Sequence, residues 1–367
     1  VGNNSSGTTS IVYGVTRDKV ISLNTILSDG KKVVFGEISQ DDFDRKCGQK
    51  DLEGKLYRQT FDELNNPENR EEIHAQFPKK SIHRRNTGYA VDELLKAELF
   101  EGKEKFNFCK LLAGSEGTLA FTTEIKISLD PLPDPVEIVV AAHFESIHES
   151  MKSAQVAMKH PATAVELMDK IILDCTKESI EYSKNRYFVE GDPKAILMIE
   201  FRGKTLEEAM AKGEALVADL KAGGYGYAYP IIEPARVASA WALRAAGLGL
   251  LGNIPGDPKA VACIEDTAVD IEDLADYIDE LDEILKGFNQ NPVHYAHAGA
   301  GEIHMRPILD LKKAKDVEEF YQISLASAKL VKKYQGSLSG EHGDGRLRGE
   351  FIRQMVGEKN YELLRQI

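Results

Sequence analysis

The sequence predicts an α+β protein of two domains, and three observations carry that prediction. After Pro135, short apolar strands alternate with amphipathic helices, the pattern of a sheet with helices packed on it. Before it, two runs of alternating apolar and polar residues flank an Asp-Gly turn, which marks a β-hairpin. Between the halves lies DPLPDP, Asp130 to Pro135, a proline-rich break of the kind that separates domains. The boundary therefore falls at residues 1–135 and 136–367. A chain of 367 residues needs such a division, because single cores stop growing near about 250–300 residues.

The elements follow in order. VISLNTILSDG and KKVVFG form the hairpin. Residues from about Gln40 to Glu104 are charged and helical in pattern, with FDELNNPENREEIHAQF the clearest helix. KLLAGSEGTLAFTTEIKISLDPLP is a glycine turn followed by an alternating strand. Beyond Pro135, VEIVVAAHF, TAVELMD, AILMIEFRG and ACIEDTAV are strands. SIHESMKSAQVAMKH, KIILDCTKESIEYSK, TLEEAMAKGEALVADLKAGG and IEDLADYIDELDEILKG are the helices between and after them. This is a ferredoxin-like arrangement, a sheet covered on one face. Histidine-rich strands and a late helix, KDVEEFYQISLASAKLVKKYQG, follow.

Composition excludes several functions. A net charge of −13 disfavours nucleic acid and anionic membrane surfaces. No run approaches the ~18 apolar residues of a membrane helix, and no secretory signal opens the chain. Cys47, Cys109, Cys175 and Cys263 are scattered, so this chain carries no zinc-thiolate or iron–sulfur motif. Isolated cysteines fit a reducing compartment, the cytoplasm. Val1 is not an initiator Met, VGNNSSGTTS has loop composition, and YELLRQI stops inside a helical pattern, so the chain reads as an internal fragment.

Four stretches carry chemistry. GNNSSG (Gly2 to Gly7) and GSEGT (Gly114 to Thr118) offer backbone N–H groups and small hydroxyls that approach a pyrophosphate or flavin closely; each alone also fits an ordinary turn. In VHYAHAGAGEIHMRP, His297 and His304 flank a glycine turn, which puts both imidazoles on one side of two short strands. His294 faces the other way and reads as a packing or supporting residue. Imidazole pairs hold Zn²⁺, Mn²⁺ or Fe²⁺, or are satisfied core histidines. In GEHGDG, Glu341 supplies a carboxylate for a His2Glu metal site and His342 a general base near neutral pH, unless the segment is only a turn before RLRGEFIRQMVG. Arg244, beside Trp241 on an apolar helix, needs a partner: a substrate carboxylate or a structural salt bridge. Lys259 follows the loop GNIPGDP, and Glu166 and Asp266 read as structural.

In this order, GNNSSGTTSIVYGVTRD, GSEGTLAFTTE, HAGAGEIH and GEHGDG resemble the FAD-linked oxidases of the vanillyl-alcohol-oxidase type, in the branch of D-lactate, D-2-hydroxyglutarate and glycolate dehydrogenases. EDTAVDIEDLADYIDEL and GEIHMRPILDL are similar to large bacterial members fused to an iron–sulfur region. The resemblance implies the C-terminal part of a PCMH-type FAD-binding domain over 1–135 and a substrate and metal domain over 136–367. It implies FAD contacts from Gly2, Asn3, Asn4, Ser5, Ser6 and Gly7, from Tyr13 and Gly14, from Gly114, Ser115, Glu116, Gly117 and Thr118, and from Ile125. It places a divalent metal, Zn, Mn or Fe, on His297, His304 and Glu341, the base on His342 and the substrate-carboxylate anchor on Arg244. Lys259 matches the family lysine more loosely.

The chain departs from that pattern in three ways. Ala300 and Glu302 stand where the family turn has Asp and Asn. The family's first glycine-rich flavin loop is absent ahead of Val1, and no cysteine-rich region follows Ile367. The reaction implied is oxidation of a D-2-hydroxy acid, with hydride passing to flavin N5 and electrons to an iron–sulfur or quinone acceptor. The absence of GxGxxG after a strand agrees with an acceptor other than NAD. The expected partners are the small acid substrate, the iron–sulfur domain and a second copy of the chain in a homodimer. A flavin-free metal hydrolase or lyase, and a non-catalytic domain of a larger complex, are the competing classes.

Overall fold

The computed structural model describes residues 1–177 and 179–367, and the side chains of all of these except Leu248 and Asn253. The chain divides into two compact units. The first comprises Val1–Ser6, Gly14–Asp130 and Gln335–Ile367; the second comprises Gly7–Tyr13 and Pro131–Tyr334. One changeover lies in DPLPDP. The C-terminal segment from Gln335 packs with the first unit, and the loop read as one motif, Gly2 to Gly7, is shared between the two.

In the first unit, β1 (Val20–Ile26) and β2 (Lys32–Ile38) form the expected hairpin, turning at Gly30 with φ +83°. β3 (Phe106–Asn107) and β4 (Phe121–Ile127) complete an antiparallel sheet of order β3-β2-β1-β4. Its core is aromatic. Phe35, Phe43, Tyr57, Phe106 and Phe108 meet edge to face with centroids 4.8–5.4 Å apart, the geometry the ring quadrupole favours. Helices Gln40–Cys47, Leu52–Asn65 and Pro67–Gln76 start on Ser39, Asp51 and Asn66, whose side chains accept the first free N–H groups. Pro67 opens the third helix, where its missing N–H costs nothing.

The second unit is built on one antiparallel sheet. Its strands are β5 (Val136–Phe144), β6 (Ala164–Asp169), β7 (Ala195–Gly203), β8 (Ile231–Ile232), β10 (Ile264–Ala268), β11 (Val293–His297) and β12 (Glu302–Arg306). Their order is β10-β12-β11-β6-β7-β5-β8. β9 (Lys259–Ala260) and β13 (Ile308–Leu309) pair separately. The period of two decides which helix meets which face. Ile138 and Val140 of β5 meet helix Leu206–Gly223, close enough that a methyl group on Gly213 would press on both. Val139 and Ala141 join Val237, Ala240 and Leu243 of helix Pro234–Leu250 on the other side. Helices therefore cover both faces at the β5 end, where a ferredoxin-like sheet has one face covered. The helix expected over 170–184 is described as Lys170–Lys177; residue 178 lies outside the described residues, and a 3-10 turn spans Ser183–Arg186.

Register sets the polar face. Across β11 and β12, His297 pairs with Glu302, Tyr295 with His304 and Val293 with Arg306. Met168 of β6 pairs with Tyr295, and Glu265 of β10 with His304. Directly paired residues point to the same side, so Glu166, Tyr295, His297, Glu302, His304, Arg306 and Glu265 share one face. A bulge between Glu265 and Thr267 leaves Asp266 fully buried at φ +78°, a left-handed conformation that costs a non-glycine residue about a kilocalorie per mole or more.

His294 faces the opposite way, as its spacing predicts. Its backbone N–H donates to Asp169 at 2.7 Å, and its Nε2 lies 2.9 Å from Asp282. Burial opposes the imidazolium charge, but hydrogen bonds to Asp169 and Asp282 outweigh it and push the pKa up to about 9. A raised folded-state pKa stabilises the fold fully below the unfolded value near 6.5, and the stabilisation is lost as pH rises through 9. Thermal unfolding is therefore expected to fall between pH 6.5 and 9 by an amount on the order of 3 kcal/mol, and a His294→Gln variant to show a flatter profile over that window. Equal slopes in the two proteins would contradict the assignment.

Candidate active site

In the first unit, three segments that are far apart in sequence interlock. The N–H groups of Gly114 and Glu116 donate to the carbonyls of Val1 and Gly2 at 3.1 and 2.9 Å, so the two glycine loops lie side by side. Asn3 donates to the His342 carbonyl at 2.9 Å, and the Ser5 hydroxyl to the Glu341 carbonyl at 3.3 Å. The Gly345 N–H donates to both carboxylate oxygens of Glu116 at 3.2 Å. Asn86 is the hub: its Nδ2 donates to the carbonyls of Asn3 and Gly340, and its Oδ1 accepts from Asn4. Asn4 holds φ +50°, fully buried, and its Oδ1 accepts the Arg17 N–H. Gly14 also takes positive φ, at +72°, and a side chain there would collide with Asp18.

A cavity of about 670 Å³ opens beside these loops, lined by Tyr89, Ser115, Glu116, Thr118, Arg346 and Tyr361 among others. Gly117 stands at the tip at φ +76° with open space where a side chain would be. Glycine backbone, hydroxyls, a guanidinium and two phenols are what a phosphate-bearing aromatic cofactor requires, and FAD fits in kind and size. Ile125, on β4, is half-exposed. Tyr13 and Gly7 fall in the second unit, where Tyr13 ends the short helix Ser10–Tyr13.

GEHGDG also lies in the first unit. The Glu341 Oε2 is 3.3 Å from Arg84, a guanidinium buried completely, and its Oε1 is 3.3 Å from His342 Nε2. The His342 side chain is 44% exposed. Asp344 accepts the Gly88 N–H at 2.6 Å, and Gly343 at φ +82° makes the turn. Arg84 and Asn86 escaped the sequence reading. They sit in HRRNTGY, a loop inside a stretch whose charge suggested a solvated helix.

The second unit holds the histidine pair. The rings of His297 and His304 lie 5.3 Å apart at 82°, and Tyr295 is 6.1 Å from His304. Both carboxylate oxygens of Glu166 lie 2.9 Å from His297 Nδ1. Around His304 stand Glu302 at 3.8 Å and Glu265 at 4.0 Å. Two imidazoles among carboxylates form a donor set suited to a borderline divalent ion such as Zn²⁺, Mn²⁺ or Fe²⁺. Arg244, 6% exposed, forms an ion pair with Glu166, donates to the Ala296 carbonyl at 3.3 Å and stacks 4.1 Å above Tyr295. Its Nε is buried with no partner among the described residues. Lys259 is turned toward its own loop, its ammonium donating to the Ile254 and Gly256 carbonyls at 2.6 Å each. That loop curls back and captures the amine. Glu166, read as structural, is instead central to this cluster.

Solved structures share this fold. p-Cresol methylhydroxylase superposes with a TM-score of 0.59 at 10% identity, over 99% of this chain and 64% of that one. 4-Ethylphenol oxidase from Gulosibacter chungangensis gives 0.54 at 11%, over 95% and 61%. Residues 133–367 match the family "FAD linked oxidases, C-terminal domain", and the chain belongs to it. It is 31% identical over 98% of its length to a D-2-hydroxyglutarate dehydrogenase of Pseudomonas putida, covering 35% of that protein. A D-2-hydroxyglutarate dehydrogenase of Haemophilus influenzae is also 31% identical, at 98% and 35% coverage. The glycolate oxidase subunit GlcD of Bacillus subtilis is 22% identical over the whole chain and 63% of its own length. The chain thus spans about a third of the length of the D-2-hydroxyglutarate dehydrogenases it matches.

Proposed function

We propose that the protein oxidises a D-2-hydroxy acid of the 2-hydroxyglutarate type to its 2-oxo acid as part of an FAD-dependent dehydrogenase. The observation that carries this reading is the polar sheet face, with His297, His304 and Arg244 gathered over β6, β11 and β12. The resemblance to D-2-hydroxyglutarate dehydrogenases along nearly the whole chain supports it. FAD, when bound, supplies the hydride acceptor. His297 and His304 would hold a divalent ion, whose charge would lower the pKa of the substrate hydroxyl. Glu341 as third ligand rests on the family pattern.

The residues divide the remaining work. Arg244 anchors the α-carboxylate: its unpartnered Nε is a buried donor, and such a donor costs about 1–3 kcal/mol until an acceptor arrives. His342 takes the hydroxyl proton, the role the family pattern gives it; its side chain is 44% exposed, and an imidazole is the usual general base. Electrons leave to an iron–sulfur or quinone acceptor. Four free cysteines, and no helix among the described residues long and apolar enough to cross a membrane, fit the cytoplasm. The reading is tested by supplying the FAD-loaded protein with D-2-hydroxyglutarate and an artificial electron acceptor. One 2-oxoglutarate should appear for each two electrons accepted, and flavin-loaded protein that makes none overturns it.

Arg306 is the cation for the distal carboxylate. It shares the face of His304 and lies two residues along β12, about 7 Å away. Glu265 pairs with its guanidinium, and its Nε has no partner among the described residues. Arg306→Gln should raise KM for D-2-hydroxyglutarate by about tenfold or more, the worth of one charge-assisted hydrogen bond, and leave KM for D-lactate unchanged. An equal change for both acids would remove Arg306 from this role.

A further inference from the structure

We infer that Glu166 is the positioning residue of the site, fixing both the tautomer of His297 and the place of Arg244; the inference rests on the reading of His297 as a metal ligand. Glu166 is central in β6, a strand buried at all six positions, and is itself 1% exposed. β6 is the fourth strand of seven, far from either sheet edge. A carboxylate in such a place is expensive unless paired, and removing one partner of a buried pair costs more than the pair contributes. Met168, two residues along β6 and on the same face, is fully buried, so this face accepts an apolar side chain. The charge therefore calls for a reason beyond packing.

The geometry supplies one. Both Glu166 oxygens lie 2.9 Å from His297 Nδ1. A carboxylate only accepts, so Nδ1 must carry the hydrogen. In the neutral ring, Nε2 is then the atom with the lone pair, the one through which the ring can ligate a cation. A carboxylate on the far nitrogen also makes the imidazole a stronger donor. The same carboxylate forms the ion pair with Arg244. Arg244 in turn donates to the carbonyl of Ala296, the residue preceding His297. One side chain thus locks the ligand's ring and the anchor's guanidinium into a single arrangement, and a shift in either moves the other.

The experiment uses the whole chain with its histidines ¹⁵N-labelled, His297 being assigned by comparison with a His297→Gln variant. Two variants are needed, because Glu166→Met alone strands the Arg244 charge. Glu166→Gln keeps the shape and one acceptor but drops the charge. The double variant Glu166→Met, Arg244→Met removes both charges together and leaves neither unpaired. In metal-free wild-type protein, the ¹⁵N shifts of His297 should report the Nδ1–H tautomer; in the double variant that preference should disappear. Zn²⁺ alone, titrated against a chelating dye, should bind about 10–100-fold more weakly to Glu166→Gln than to wild type. A structural role would lower the unfolding temperature but leave tautomer and metal affinity alone. The Nδ1–H tautomer persisting in the double variant, or Zn²⁺ binding Glu166→Gln as tightly as wild type, overturns the inference. Wild-type protein that binds neither Zn²⁺ nor Mn²⁺ overturns the metal reading instead, and the tautomer comparison then decides the positioning of His297 by itself.

Discussion

Arg244→Ala is expected to destabilise the second unit by about 3–5 kcal/mol, before any effect on turnover. Arg244 is 6% exposed and Glu166 1% exposed, so the substitution leaves a carboxylate in the middle of a seven-stranded sheet with its cationic partner gone. The stacking on Tyr295 and the bond to the Ala296 carbonyl go with it. For a unit of this size each kilocalorie per mole shifts the unfolding temperature by about 2–4 °C, so the transition should fall by roughly 6–20 °C. Neutralising the partner as well should recover part of the loss. Arg244→Ala combined with Glu166→Gln is expected to be more stable than Arg244→Ala alone, because contacting residues are not additive. A double variant that loses the sum of the two single losses would show that the pair is not coupled. Scanning calorimetry of the four proteins decides this without substrate, cofactor or metal.

His342→Ala is expected to lower kcat about 10²–10⁴-fold, the usual worth of a positioned general base. The loss should come without loss of fold or flavin. The imidazole is exposed, and the carbonyl that ties His342 to Asn3 belongs to the backbone and survives the change. The adjacent Glu341 keeps its contact with Arg84. Flavin content and unfolding temperature should therefore match wild type while the rate of flavin reduction collapses. If kcat is unchanged within a factor of a few, another group takes the proton.

Much of this arrangement is legible in the sequence where the information is local. The strand–turn–strand around His297 and His304, and the opposite orientation of His294, follow from a period of two and one glycine turn. The hairpin follows from Asp-Gly; FDELNNPENREEIHAQF, expected as one helix, is instead divided at Asn66, where Leu52–Asn65 ends and Pro67–Gln76 begins, because the residue before a proline disfavours helical backbone. What escapes is pairing over long separations. Glu166 looks like one acid in an apolar strand, and nothing near it in sequence announces His297 or Arg244, 131 and 78 positions away by subtraction of their numbers. Arg84 and Asn86 are hidden for the same reason: their charge and polarity resemble the solvated helices before them, yet their partners are Glu341 and Asn3. The left-handed Asp266 is beyond sequence patterns altogether, since aspartate gives no sign that a bulge will hold it at positive φ.

The most direct measurement mixes the FAD-loaded protein anaerobically with D-2-hydroxyglutarate and, separately, with its L-isomer, and follows the flavin absorbance. The account predicts that the D-acid bleaches the flavin, that the L-acid does not, and that deuterium at the α-carbon of the D-acid slows the bleaching. A flavin spectrum that stays oxidised with the D-acid, or that bleaches equally with both isomers, contradicts it.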